Sequence, residues 1–153
     1  MNIIRSEVVS IKYDQLWEDI SSLVAGAGVK PVLIIVNSCE PGSTEDTQLQ
    51  KMLDACNLNP TLYNLLRLHD QQMVAWRQLR ERLDPKIIFM IGVLPSQLGI
   101  SAMFSFNAPN NFNDRVWLPT LSINELEKNK DIKLQLWNSG LKPLFKDNVL
   151  GLV

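Results

Sequence analysis

Pro31-Val-Leu-Ile-Ile-Val36, running straight into Asn37-Ser38-Cys39-Glu40-Pro41-Gly42, is the stretch whose reading decides the fold. An unbroken apolar run rich in β-branched residues is the pattern of a strand buried on both faces, as in a parallel sheet covered by helices. The polar, glycine-closed elbow behind it falls where open α/β sheets place their ligands, outside the carboxyl end of a strand. Ser43-Thr-Glu-Asp46 then fits a helix capping box, with two carboxylates at the positive end of the helix. Leu49, Met52, Leu53 and Cys56 give that helix its apolar side.

Working outward, Asn57-Leu-Asn-Pro60 stops the first helix, and residues 61–66 read as a second strand. Asp70 can cap a further helix with Met73, Trp76, Leu79 and Leu83 as its inner stripe, ended by Asp84-Pro85. Residues 86–91 form a third buried strand. Residues 101–106 alternate between apolar and polar, which predicts a half-exposed edge strand, and the turn-rich residues 107–114 predict a loop leading to a strand over 115–118. A short helix is expected over 123–127 and a longer one from Asp131, with Leu134, Trp137 and Leu141 on one face and Pro143 ending or kinking it. Upstream, Tyr13, Leu16, Trp17, Ile20 and Leu23 recur at helical steps and predict an amphipathic helix. Strands alternating with helices imply a three-layer α/β/α sandwich around a mainly parallel sheet of four or five strands, one domain over residues 1–153.

Composition narrows the function classes. Apolar residues make up 46% and charged residues 20% of 153, the usage of a globular domain and not of a disordered chain. Fifteen Lys and Arg against sixteen Asp and Glu give a net charge of −1, without the basic excess that announces duplex binding, so DNA contact is a secondary expectation. No stretch approaches a membrane span, and Met1-Asn-Ile-Ile-Arg-Ser-Glu lacks the apolar core of a signal peptide, so a cytoplasmic protein without membrane association is expected. Cys39 and Cys56 form neither a CxxC pair nor a metal array, so no metal and no cofactor are expected, and no disulfide framework.

Within the elbow, Glu40 is the sole acid that could position a water or a base, although an acid close to a helix start is also favoured electrostatically without any catalytic duty. Cys39 could serve as a thiolate only with His69 as its imidazole, and His69 beside Asp70 could itself be an oriented base. Trp76 and Trp137 lie on helical apolar stripes and are expected in the core, whereas Phe112 and Trp117, close to strand and loop ends, are the expected exposed contacts.

The order of these pieces resembles the uracil-DNA glycosylase superfamily, and within it the non-enzymatic members like the psi subunit of bacterial DNA polymerase III. Ser38-Cys39-Glu40-Pro41-Gly42 answers the family's Gly-Glu-Ala-Pro-Gly loop, and Asn64 a strand ending in Asn. Leu83-Asp-Pro-Lys-Ile-Ile-Phe-Met-Ile-Gly92 resembles the third strand, while Leu118-Pro-Thr-Leu-Ser-Ile-Asn-Glu-Leu126, followed by Lys133 and Trp137, resembles the later proline-threonine loop and closing helix. The resemblance implies a cleft formed by Asn37, Ser38, Cys39, Glu40, Pro41, Gly42, Asn64 and Ser122, with Glu40, Asn64 and His69 as catalytic candidates. It also shows departures: the loop's acid position is held by Cys39, with Glu40 one residue late, and the family's histidine position by Ser122. Residues 46–60 and 129–137 are similar to the first and last helices of psi-like members. The expectation is therefore a non-catalytic protein that contacts another replication or repair protein; the alternative is a divergent glycosylase or nucleobase-binding protein using residues 37–42.

Overall fold

The computed structural model describes residues 24–25, 28–69 and 72–146. The amphipathic segment from Tyr13 to Leu23 and the cap expected at Asp70 lie outside them. The elements are β1 (Val24–Ala25), β2 (Val32–Asn37), α1 (Thr44–Ala55), β3 (Tyr63–Leu68), α2 (Trp76–Leu83) and β4 (Ile87–Ile91), then a 3₁₀ turn (Pro95–Leu98), β5 (Asn110–Phe112), β6 (Arg115–Thr120), α3 (Ile123–Lys128) and α4 (Lys130–Leu136). Beyond α4 the helix widens to π pitch over Trp137–Lys146.

Among the described residues the strands form one sheet in the order β1-β3-β2-β4-β6-β5. The four inner strands are mutually parallel, and the short outer strands β1 and β5 run antiparallel to their neighbours. The sheet is mainly parallel as expected, but among the described residues it has six strands where four or five were expected, the extra ones being the short antiparallel edges. β2 sits between β3 and β4, and Val32 through Val36 are all fully buried, which is why the run carries no polar residue.

Successive side chains point to opposite faces. Val32, Ile34 and Val36 pack with Leu49 and Leu53 of α1, Leu126 of α3 and Leu136 of α4, while Leu33 and Ile35 pack on the other face with Trp76, Leu79 and Leu83 of α2. The result is the predicted α/β architecture, with helices on both faces of the sheet. The Ser43 hydroxyl accepts from the Asp46 amide, so α1 begins where the capping box placed it.

Four sequence expectations need correction. The strand expected over 61–66 is Tyr63–Leu68, because Thr61 and Leu62 are still bonded to Asn59 in the turn after α1. The edge strand expected over 101–106 pairs with no neighbour; the sheet edge is instead β5, from within the segment assigned to a loop. Asn113 and Asp114, at φ 55° and 58°, make the two-residue turn that joins β5 to β6, a conformation Asn and Asp tolerate better than other non-glycine residues. The carboxamide of Asn110 binds both the N–H and the C=O of Ser105, replacing the strand partner that residues 101–106 lack. In α2, Met73 precedes the helix and is exposed, leaving Trp76, Leu79 and Leu83 as the inner stripe. In the last helix Leu136 faces the core while Leu134 stays 58% exposed and Trp137 is half-buried, and the wider turn of the π segment brings Leu141, five residues after Leu136, to the same inner face. Pro143 lies inside that wide helix without ending it.

Candidate functional site

The chain passes from β2 to β3 on one side and then crosses to β4 on the other, so the topological switch lies at the carboxyl ends of β2 and β4. The elbow of residues 37–42, the turn at Gly92 and the start of α3 at Ser122 meet the carboxyl edge of the sheet here. Gly92 has φ +71°, and a Cβ on it would lie 2.9 Å from the Cα of Ser122, so the two backbones close against each other at this point. Ser122 acts as a helix cap: its hydroxyl accepts from the Glu125 amide and donates to the Glu125 carboxylate.

The elbow itself is held by a residue that sequence reading passed over. Arg67, the fifth residue of β3, donates 2.8 Å to the Cys39 carbonyl, reaches the Cys39 Sγ at 3.4 Å and pairs with Asp46 at 2.9 Å. Asp46 in turn accepts from the Gly42 amide at 2.9 Å, and the Glu40 carbonyl accepts from both the amide and the hydroxyl of Ser43. Strand, elbow and helix start are thus tied through one guanidinium. Burial alone would raise the Asp46 pKa, but the Gly42 amide and Arg67 outweigh it and hold the carboxyl below its ordinary value. An arginine within a strand carries no motif; the available signal is a lone charge at the penultimate position of a mostly apolar strand.

Cys39 is buried, and desolvation pushes its thiol above the ordinary value despite the opposing charge of Arg67. Burial therefore argues against Cys39 serving as a thiolate nucleophile. A disulfide-type thiol reagent is expected to label Cys39 and Cys56 on the order of a hundredfold more slowly in the native protein than in urea, because reaction requires both exposure and the thiolate. Labelling at the unfolded rate under native conditions would show an accessible, activated Cys39.

The catalytic candidates do not converge. Glu40 is exposed, and His69 is exposed directly after β3, its backbone amide bonded to the Gln72 carboxamide. Both stand at the carboxyl edge. Asn64 does not: it pairs with Leu33 near the opposite end of the sheet, four residues or roughly 13 Å along the strand from Leu68. Its Nδ2 donates to the Gly28 carbonyl at 3.0 Å, and it is buried. The expectation of a cleft shared by Asn64 with residues 37–42 and Ser122 is corrected accordingly; the remaining members do lie along one edge, with Asn37 ending β2 and Ser38 at φ 52° bonding the Leu68 carbonyl through its amide.

The aromatic contacts expected on the surface are also corrected. Trp117 is fully buried, with ring centroids 4.6 Å from Trp76, 5.5 Å from Phe104 and 5.9 Å from Phe112, and its indole N–H donates to the Phe112 carbonyl. Phe112 is half-buried in the same cluster, and Arg115 lies 5.3 Å over the Trp76 ring. Strand ends near loops are often solvated, but here Ala102 and Phe104 of the alternating segment 101–106 pack over this cluster. Among the described residues no group of three or more His, Cys, Asp or Glu is placed to hold a metal ion, and no helix is long and apolar enough to cross a membrane.

A second concave feature lies between α1 and α4, a groove of about 530 Å³ that includes Met52 and Trp137 and none of the elbow residues. The sequence matches no protein-family model, and comparison with the curated proteins finds no significant match.

Proposed function

We propose that this protein acts by binding another protein and not by catalysis, in the manner of the psi-like members of the glycosylase superfamily, with a replication or repair component as its partner. The observation that supports this reading is the Arg67–Asp46 pair: these two charges are engaged in holding the loop to β3 and α1, and Asn64 sits at the other end of the sheet. A base-excising site needs a positioned water or charge stabiliser, a donor to the flipped base and an aromatic stack within one pocket. The α/β order of strands and helices is compatible with that superfamily, and an architecture by itself carries no activity.

A second reading, a divergent glycosylase or nucleobase-binding protein, draws on the exposure of Glu40 and His69 at the same carboxyl edge. One assay separates the two. Folded protein incubated with uracil-containing single- and double-stranded DNA is expected to leave the base in place. Excision by wild type that is lost in Glu40→Ala would overturn the proposal and make the elbow a working active site.

A further inference from the structure

We infer that the groove between α1 and the α4–π helix is a docking site for an acidic amphipathic helix of a partner protein. This inference deepens the interaction reading by naming the chemistry of the partner.

Its walls are two facing helical stripes. Gln48, Met52 and Ala55 of α1 recur at steps of four and three residues, and Lys130, Leu134 and Trp137 opposite them recur at the same steps. Each stripe covers about 10 Å of helix axis, two turns, at 1.5 Å per residue. Two such stripes leave a trough suited to the ridge of a third helix, the helix-in-groove mode of recognition.

The apolar surface in this trough exceeds what the core consumes. Leu136 of α4 and Leu141 of the π segment, five residues apart, face the core, whereas Leu134 and Trp137 do not enter it fully. Leu134 remains 58% exposed and Trp137 half-buried, and together with Met52 they form an apolar strip within the groove. A half-buried tryptophan lining a concave apolar surface is the kind of anchor that dominates interface energetics.

Charge identifies the occupant. Lys51, Lys130 and Lys133 line the groove against the single acid Glu127, which is already paired with Lys133. Among the described residues no ion pair reaches Lys51 or Lys130. In a chain of net charge −1 this is a local positive rim around an apolar strip. Its complement is a helix with leucine-like residues at i, i+3 or i+4 and i+7, flanked by Glu or Asp.

The test uses the full chain and two fluorescein-labelled, 16-residue helix-forming peptides with the same leucine stripe, one flanked by Glu and one by Lys. Fluorescence anisotropy is expected to show the Glu-flanked helix binding about tenfold or more tightly than the Lys-flanked one, with an affinity that falls as salt rises. The double variant Lys51→Glu, Lys130→Glu, at two exposed positions, is expected to reverse that preference, and Leu134→Asp to weaken both peptides. Equal binding of the two peptides, no binding of either, or a preference unchanged by the charge reversal overturns the inference. So does self-association in sedimentation that Leu134→Asp abolishes, which assigns the groove to a second copy. Uracil excision measured on the same preparations reports on the non-catalytic reading separately: activity there overturns that reading, and the peptide preferences still decide the groove.

Discussion

Replacing Trp117 by alanine is expected to destabilise the protein by about 4 kcal/mol, the range found for deleting a large aromatic side chain from a close-packed core. The side chain is fully buried and packs against Trp76, Phe104 and Phe112, so little of the resulting space can be refilled without moving α2 or the 101–106 segment. The Phe112 carbonyl would also lose its donor. Against the usual 5–15 kcal/mol of a domain this is a large fraction, and urea denaturation should show a much lower midpoint. Trp117→Phe, which keeps the ring packing and loses the indole N–H, is expected to cost about half as much. A loss below ~1 kcal/mol for the alanine variant would place Trp117 at the surface, where it was expected from sequence alone.

Arg67→Ala is expected to cost about 2–3 kcal/mol, somewhat below the loss on breaking a fully buried pair because both partners keep slight solvent access. The variant removes the bond to the Cys39 carbonyl as well as the charge that faces Asp46. Its pH dependence has a definite sign. The Asp46 pKa is lowered in the folded protein, so the pair's contribution is present in full above the unfolded value near pH 4 and is lost as pH falls through the folded value. The stability gap between wild type and Arg67→Ala should therefore be flat from about pH 5 to 8 and narrow below about pH 4. Arg67→Lys is expected to recover only part of the loss, since an ammonium cannot hold the carbonyl and the carboxylate with one planar fork. A gap that widens in acid would show that Asp46 is not the group stabilised.

Much of the architecture was legible because burial wrote it into composition. Val32 through Val36 and Ile87 through Ile91 are buried throughout, and a two-sided apolar environment leaves continuous apolar runs. Ser43 announced the start of α1 through its position ahead of an acid. The misreadings have equally local causes. Residues 101–106 alternate as a strand does, but pattern records which side chains face the core and not whether a neighbouring backbone is available. β5 is three residues long, and its Asn-Asp turn lacks the glycine that marks most such hairpins. Leu134 and Trp137 keep a helical period of 3.6, which the π segment then breaks.

At the site the sequence revealed positions along the chain but not depth along a strand. Asn37, Glu40 and His69 share an edge because two parallel strands end together, whereas Asn64 fell outside once β3 proved to begin at Tyr63. Moving that strand by two residues displaced one candidate to the far end of the sheet and brought Arg67 to the elbow, a partner that only pairing register could reveal.

The strand order also governs how the molecule must assemble. β2 needs β3 and β4 as neighbours, and β4 remains an unpaired parallel edge until β6 arrives, more than twenty residues later in the chain. During synthesis the growing chain therefore exposes the apolar backbone edge of β4 until residues 115–120 leave the ribosome, and pairing that must wait for distant sequence is slow and prone to association. In the finished fold β5 closes only half of the outer edge of β6, and the Asn107 amide takes the Pro119 carbonyl beyond it. The polar loop that follows residue 106 thus seals the outer edge of β6, whose backbone would otherwise be open to pairing with another chain.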